Sequence, residues 1–119
     1  MRADKLPLRI DSEVSVSVVT IDDLVDQGVI NPETIGLIWM DAEGFEDEIF
    51  SACNHLLSRR IPITFEFTPG FYSDVQRQRI VHTIFDRYDN VSIANECEFQ
   101  PITKIDALSL KRRVDFFCS

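Results

Sequence analysis

Residues 35–46 read IGLIWMDAEGFE, and this stretch decides the fold. Its first six residues are apolar or glycine with no polar alternation, which is typical of a strand covered on both faces, as in a parallel sheet. An acidic turn, Asp41-Ala42-Glu43-Gly44, follows directly, and an amphipathic helical pattern follows the turn. Because open α/β sheets bind ligands at the carboxyl ends of their strands, this corner is the predicted functional part of the protein.

The segment before this stretch predicts a strand and a short helix. Val14–Val19 alternates valine with serine before its final valine, which is typical of a half-buried strand. Thr20 is a predicted helix N-cap, and Gly28 is expected to end that helix in a left-handed conformation. Residues 1–13 are predicted to be a polar N-terminal segment, and residues 14–119 are predicted to be the C-terminal part of one domain.

Helices and strands alternate in the rest of the chain. The spacing of apolar residues predicts one helix over Glu43–Ser58 and another over Ser73–Tyr88, which begins with a Ser73/Gln76 capping box. Alternation and β-branched residues predict three more strands, Ile61–Phe67, Val91–Ala94 and Val114–Cys118. This order predicts an α/β fold with a mostly parallel sheet, right-handed crossovers and an antiparallel terminal strand.

Composition and charge restrict the partners. The net charge of −8 argues against a nucleic-acid partner, because backbone phosphates require clustered Lys and Arg. The sequence has no apolar run near the roughly 20 residues that a membrane span needs, and its start lacks the apolar core of a signal peptide. We therefore predict no membrane partner and a cytoplasmic protein.

No metal site is predicted from the cysteines and histidines. The three cysteines are widely spaced and form no CxxC pair, so they are expected to be buried, reduced thiols. His55 and His82 lie on predicted helices without a carboxylate or cysteine at ligand spacing.

Asp41 and Glu43 are the strongest candidates for chemistry. An aspartate at the end of a buried strand must be hydrated, hydrogen-bonded or paired, and Gly44 beside it permits close approach of a backbone or a ligand. Paired carboxylates can orient a hydroxyl, act as a general base or hold a hard cation. The alternative is charge compensation at a helix N-terminus, which needs no function; it explains Glu46 well and Asp41 less well.

Glu66 is the third candidate, because a carboxylate inside an apolar strand needs a partner. If its strand neighbours residues 35–40, Glu66 reaches the same sheet edge as Asp41. The alternative is an exposed position at a strand end. Trp39 is predicted to lie in the core, and the second interpretation is an aromatic wall beside the strand-end site.

At these residues the chain resembles the FkbM family of S-adenosylmethionine-dependent methyltransferases. The family pattern has a T-x-D-D-L segment, then D-x-E-G-x-E after an apolar strand, then a strand ending in Glu. Matching segments occur here in the same order, and Val114–Cys118 is similar to the family's last strand. The three segments are Val18–Leu24, Ile35–Glu46 and Ile63–Glu66.

The resemblance implies a class I methyltransferase fold, a Rossmann-like sheet of seven strands. It implies transfer of a methyl group from S-adenosylmethionine to a small-molecule hydroxyl acceptor, a sugar or secondary metabolite. By resemblance, Asp41, Glu43 and Glu66 match the catalytic acids, and Asp41, Ala42 and Gly44 match cofactor-binding positions.

Two departures from the family pattern affect the expected activity. Trp39 stands where family members usually have lysine, which removes a cation beside Asp41. The four glycines are separate from one another, so no G-x-G cofactor loop occurs and the first strands of the fold are expected to be missing. An open sheet edge then favours a homo-oligomer or pairing with a separate N-terminal half.

Two other function classes stay open. A non-catalytic binding or interaction module could keep this half of the sheet without the chemistry. A metal-dependent hydrolase or transferase could use the three acids, although no histidine lies at a suitable spacing.

Overall fold

A mixed five-stranded sheet forms the centre of residues 11–119, the part of the chain that the computed structural model describes. Most of the predicted N-terminal segment, residues 1–10, lies outside the described residues. The strand order is β1-β2-β5-β3-β4. The strands are β1 Ile38–Met40, β2 Ile63–Phe67, β3 Val91–Ala94, β4 Phe99–Pro101 and β5 Val114–Cys118.

The pairing of these strands corrects one prediction and confirms another. β1 and β2 are parallel, but β5 pairs antiparallel with both β2 and β3, and β4 pairs antiparallel with β3. The prediction of a mostly parallel sheet is therefore wrong for the described residues, because β5 separates two strands that would otherwise be parallel neighbours. The predicted antiparallel direction of the terminal strand is confirmed.

Helices cover one face of the sheet. They are α1 Ile21–Asp26, α2 Glu46–Ser51, α3 Asn54–Ser58, α4 Asp74–Arg87 and α5 Lys104–Leu108. Residues of α2 to α5 join the core cluster that contains the buried side chains of β2 and β5. Phe65 and Phe116 lie at the centre of this cluster, where their ring centroids are 5.4 Å apart. The predicted capping box of α4, formed by Ser73 and Gln76, is present.

The single helix predicted over Glu43–Ser58 is wrong, because two short helices occupy this range. The break falls at Ala52 and Cys53, where the backbone leaves helical geometry. Asp22 explains why a second helix, α3, begins at Asn54, because its carboxylate accepts hydrogen bonds from the backbone N–H groups of Asn54 and His55. A carboxylate from α1 thus satisfies the exposed N–H groups at the beginning of α3.

The strand predicted as buried on both faces, Ile35–Met40, is shorter and lies at the edge of the sheet. Only Ile38–Met40 pairs, and Trp39 is 82% exposed. The core position predicted for Trp39 is therefore wrong. The reason is that side chains alternate between faces, and the helices cover only the face on which Met40 lies.

The half-buried strand predicted over Val14–Val19 is also wrong. These residues belong to no strand, and all of them are exposed. Alternation of valine and serine favours a strand only when another strand offers hydrogen bonds, and no strand within residues 11–119 pairs with this segment.

No helix of the described chain is long and apolar enough to cross a membrane.

Candidate functional site

The acidic residues at the ends of β1 and β2 converge on one cavity. Met40 and Phe65 are partners in the parallel pair, and Asp41 and Glu66 are the next residue of each chain segment. Both acids line an open cavity of about 530 Å³. Its other lining residues are Trp39, Thr64, Phe65, Ala94, Arg113 and Asp115. Its volume lies in the range of small-molecule sites.

Glu66 has the partner that its position requires. Its Oε1 lies 3.2 Å from Nε of Arg113 and 3.3 Å from the hydroxyl of Thr68. Arg113 also approaches Asp115, whose Oδ2 lies 3.6 Å from Nη2. Asp115 is directly opposite Glu66 in the antiparallel pair of β2 and β5. The cavity therefore presents three carboxylates and one guanidinium, an excess of negative charge.

Trp39 forms one wall of this cavity on the open face of the sheet. This corresponds to the second interpretation of the sequence, an aromatic wall beside the strand-end site. Its exposed indole can stack on a flat ligand or attract a cation to its π face.

The turn between β1 and α2 has an unusual backbone. Glu43 has a φ of 48°, and Gly44 has a φ of 108°. A non-glycine residue in the left-handed region costs energy, and such strain is concentrated at functional sites. A Cβ at Gly44 would lie 3.5 Å from Cβ of Phe71, so the turn also contacts the segment after β2. Glu43 itself is exposed and does not line the cavity.

Glu46 fixes this turn, and sequence reasoning assigned it only to helix charge compensation. Its side chain is 1% exposed. Oε1 accepts a hydrogen bond from the Ala42 N–H at 3.3 Å, and Oε2 accepts one from the Gly44 N–H at 2.9 Å. The Tyr72 hydroxyl donates a third bond to Oε2 at 2.8 Å. The amides of two predicted cofactor-binding residues, Ala42 and Gly44, therefore face a protein carboxylate.

The sequence offered one signal for this role. A glutamate two residues after a left-handed glycine can return its carboxylate to the amides of the turn, as an acidic residue does at a helix start. The partner Tyr72 had no comparable signal, because it follows β2 and meets Glu46 only in the folded chain.

Asp22, from the T-x-D-D-L segment, contributes outside the cavity. Thr20 caps α1 by accepting the Asp23 N–H, as predicted. Partial burial raises the pKa of Asp22, because it disfavours the charged carboxylate. Hydrogen bonds from the backbone of His55 and Asn54 have a larger combined effect, so the pKa of Asp22 is lowered overall. This segment of the motif therefore connects α1 to α3.

Other polar concavities have no link to the predicted acids. A cavity of about 640 Å³ lies between α2, α3 and α4, with the ion pair of Arg79 and Asp47 among its lining residues. None of the predicted site residues lines it. His55 contacts Asp26 at 2.8 Å on the surface. Within residues 11–119, no group of three His, Cys, Asp or Glu residues could hold a metal ion.

A family model described as the methyltransferase FkbM domain matches residues 4–114. The chain belongs to the FkbM methyltransferase family. This confirms the resemblance drawn from the T-x-D-D-L and D-x-E-G-x-E segments. Neither the curated proteins nor the solved structures include a match to the chain.

In this FkbM chain, a small α/β fold with a mixed five-stranded sheet brings Asp41 and Glu66 together at one cavity. Glu43 lies in the strained turn beside it, and Glu46 holds the turn from within the protein.

Proposed function

We propose that the cavity of Asp41 and Glu66 is the methyl-transfer site of an S-adenosylmethionine-dependent O-methyltransferase. The observation that carries the proposal is the convergence of these two strand-end acids in a chain of the FkbM family. The acceptor is a small molecule with a free hydroxyl, such as a sugar or a secondary metabolite.

The charge of the cavity supports this cofactor. S-adenosylmethionine supplies a methyl group on a cationic sulfonium when bound, and Asp41, Glu66 and Asp115 give the cavity an excess of negative charge. The exposed indole of Trp39 adds a π face that attracts cations. The backbone amides of Ala42 and Gly44 already donate hydrogen bonds to Glu46, so they are not free to bind a ligand. Among the three predicted cofactor-binding residues, this leaves the carboxylate of Asp41 for the cofactor.

The two acids have different roles in this proposal. Glu66 is paired with Arg113, so its carboxylate is charge-compensated and suits binding and orientation. Asp41 is exposed, and its carboxylate can accept a hydrogen bond from the acceptor hydroxyl. As the hydroxyl oxygen is methylated, the same carboxylate can take the proton of that hydroxyl. Glu43 lies in the strained turn next to Asp41 and supports its placement. Much of the rate enhancement then comes from positioning the hydroxyl.

The described sheet supports a partial Rossmann-like arrangement in this proposal. The antiparallel terminal strand lies inside the sheet, and β1 has one free edge within residues 11–119. Ile38 donates its N–H toward β2, to Pro62 at 2.8 Å, so the backbone groups of Trp39 point away from β2. Further strands of a complete sheet, from another polypeptide or a second copy, can pair at this edge. A cytoplasmic location is part of the proposal.

Calorimetric titration of S-adenosylmethionine into the 119-residue chain tests the proposed function. We expect micromolar binding that Asp41→Asn weakens by about tenfold or more, since it removes a charged hydrogen-bond acceptor. Asp106→Asn makes the same charge change at an exposed site on α5 and is expected to leave binding unchanged. Equal affinity in the wild type and Asp41→Asn, or no binding by a folded sample, would contradict the proposal.

A non-catalytic interaction module is the second candidate, and the exposed Trp39 at the open β1 edge favours it. Here we propose that a second copy of the chain pairs along β1. Light scattering across a concentration series is expected to show a dimer, and Trp39→Glu is expected to shift it toward monomer. Phe99→Glu, on the opposite edge strand, is the matched control. A monomer at all concentrations excludes this candidate.

A further inference from the structure

We propose that Glu46 and Tyr72 are positioning residues, which lock the turn carrying Asp41 and Glu43 to the segment that follows Glu66. The inference rests on the proposed function for its meaning in catalysis, but the coupling it describes can be measured without the cofactor.

The carboxylate of Glu46 holds the acidic turn through hydrogen bonds. Its two carboxylate oxygens accept three hydrogen bonds, from the amides of Ala42 and Gly44 and from the hydroxyl of Tyr72. The residue is almost completely buried, so water does not compete for these bonds. No buried side-chain polar atom within residues 11–119 lacks a partner, which includes both members of this pair. The carboxylate therefore fixes the backbone of the turn at two points.

Tyr72 connects Glu46 to the segment after the neighbouring strand, β2. Tyr72 comes directly after the short 3-10 turn Pro69–Phe71, which follows β2. The same turn places Phe71 against Gly44. Thr68, at the start of this segment, donates its hydroxyl to Glu66. A short chain of contacts thus runs from Glu66 through the segment after β2 to Glu46 and the acidic turn.

Tyr72 is fixed in the core of the protein. Its ring stacks on Phe67, with centroids 5.3 Å apart. Burial, together with the hydrogen bond and charge of Glu46, raises the pKa of Tyr72 well above its ordinary value, so the hydroxyl stays protonated and remains a donor. A rigid aromatic ring therefore presents a fixed hydroxyl to Glu46.

Together these contacts set the distance between the two candidate acids. Asp41 begins the turn that Glu46 holds, and Glu66 precedes the segment that Tyr72 ends. When the bond between Glu46 and Tyr72 is lost, the two segments can move independently although both strands remain paired. In a site that works by positioning, such a change reduces ligand affinity without unfolding the protein.

The experiment compares Tyr72→Phe with Tyr88→Phe. The Tyr88 hydroxyl is also buried and donates a hydrogen bond, to the carbonyl of Ile61 at 2.6 Å, but this bond joins α4 to the segment before β2 and does not reach the acidic turn. The two substitutions therefore remove the same kind of buried bond at different places. Glu46→Gln is the third variant. The NH2 group of the new glutamine cannot accept a hydrogen bond, so at least one of the three donors to Glu46 loses its partner.

Two readouts are measured for each variant. The first is amide hydrogen exchange at Ala42 and Gly44 by NMR, which needs no cofactor. The second is the affinity for S-adenosylmethionine by calorimetry. We expect Tyr72→Phe and Glu46→Gln to speed exchange at both amides and to weaken binding, each by about tenfold or more. Tyr88→Phe is expected to leave both readouts near the wild-type values.

A purely structural role for Tyr72 predicts that Tyr72→Phe and Tyr88→Phe leave exchange and affinity equally unchanged, and this outcome would overturn the inference. If the wild type does not bind S-adenosylmethionine, the proposed function fails and the exchange data alone decide the coupling. If Glu46→Gln does not fold, the comparison of the two tyrosine variants still decides it.

Discussion

The hydroxyl of Tyr72 and the carboxylate of Glu46 form a buried hydrogen bond of 2.8 Å between the segment after β2 and the start of α2. Glu46 is the fully buried acidic residue among the largest core side chains of residues 11–119. A buried carboxylate costs free energy unless it is hydrogen-bonded, and here all of its bonds go to the protein groups around the acidic turn.

Glu46→Ala is expected to lower the free energy of unfolding by about 2–4 kcal/mol, because two amides and a hydroxyl lose their acceptor in a buried place. Urea denaturation followed by circular dichroism measures the change. Glu48→Ala, on the exposed side of the same helix, is the control and should change the value by less than about 0.5 kcal/mol. Similar losses for the two variants would mean that the turn does not depend on Glu46.

Gly44→Ala is expected to destabilise the protein by about 1–2 kcal/mol, since the residue has a positive φ that a side chain rarely adopts, although the new methyl group would only make ordinary contact with Phe71. Thermal unfolding measures the loss. Gly36→Ala is the matched control, because φ is not positive there and a Cβ would meet nothing within 4 Å. A loss in Gly36→Ala as large as that in Gly44→Ala would contradict this explanation.

Stability is expected to fall as the pH rises above about 9. Burial, with a smaller contribution from the charge of Asp22, raises the pKa of Cys53 from 9.0 to about 11. Burial likewise raises the pKa of Cys118 from 9.0 to about 12. Between the two values of each thiol, the unfolded chain loses a proton that the folded chain keeps, so the unfolded state is favoured.

Urea denaturation at a series of pH values measures this decline. Cys53→Ala should make it shallower between pH 9 and 11, the range set by the pKa of that thiol. The burial predicted for the cysteines is wrong for Cys97, which is exposed, so Cys97→Ala should leave the slope unchanged. An identical slope in all three proteins would show that the buried thiol does not contribute.

Asp22→Asn is expected to destabilise the protein by about 1 kcal/mol near neutral pH, a modest loss because the carboxylate is largely in contact with solvent. The pKa of Asp22 is lowered by its hydrogen bonds to the backbone of α3, so its contribution is present above about pH 4 and is lost as the pH falls through the folded-state value. Chemical denaturation at neutral and acidic pH measures both effects.

Asp23→Asn, one residue further along the same helix turn, controls for the removal of a negative charge near the α1 N-terminus. Its carboxylate is exposed and does not cap α3. A loss of stability in Asp23→Asn equal to that in Asp22→Asn would assign the effect to the helix dipole and not to the cap.

The sequence predicted the elements whose signals are local. The capping box at Ser73, the left-handed Gly28, the alternation in β2 and the final strand all follow from neighbouring residues, and the structure has each of them. The strand pattern also predicted that Asp41 and Glu66 would reach one sheet edge if their strands were neighbours; β1 and β2 do pair, and both acids line the same cavity.

The errors came from contacts between distant residues. The break between α2 and α3 depends on the carboxylate of Asp22, which no local pattern indicates. The exposure of Trp39 depends on which face of the sheet the helices cover, and apolar composition alone cannot distinguish these faces. Glu46 was assigned to the helix dipole, because its partner Tyr72 is distant in sequence.

The position of β5 has a consequence for how the chain folds. Val114–Cys118 comes last along the described chain, yet it pairs with β2 on one side and β3 on the other. β2 and β3 have no hydrogen bonds to each other, so neither can join a complete sheet before this strand arrives. Such long-range pairing slows folding, because the loop entropy is lost before the contacts form. During synthesis, the Phe65 and Phe67 side chains therefore lack their packing partner Phe116 until β5 has been made. We expect chaperones to bind the incomplete sheet at this stage.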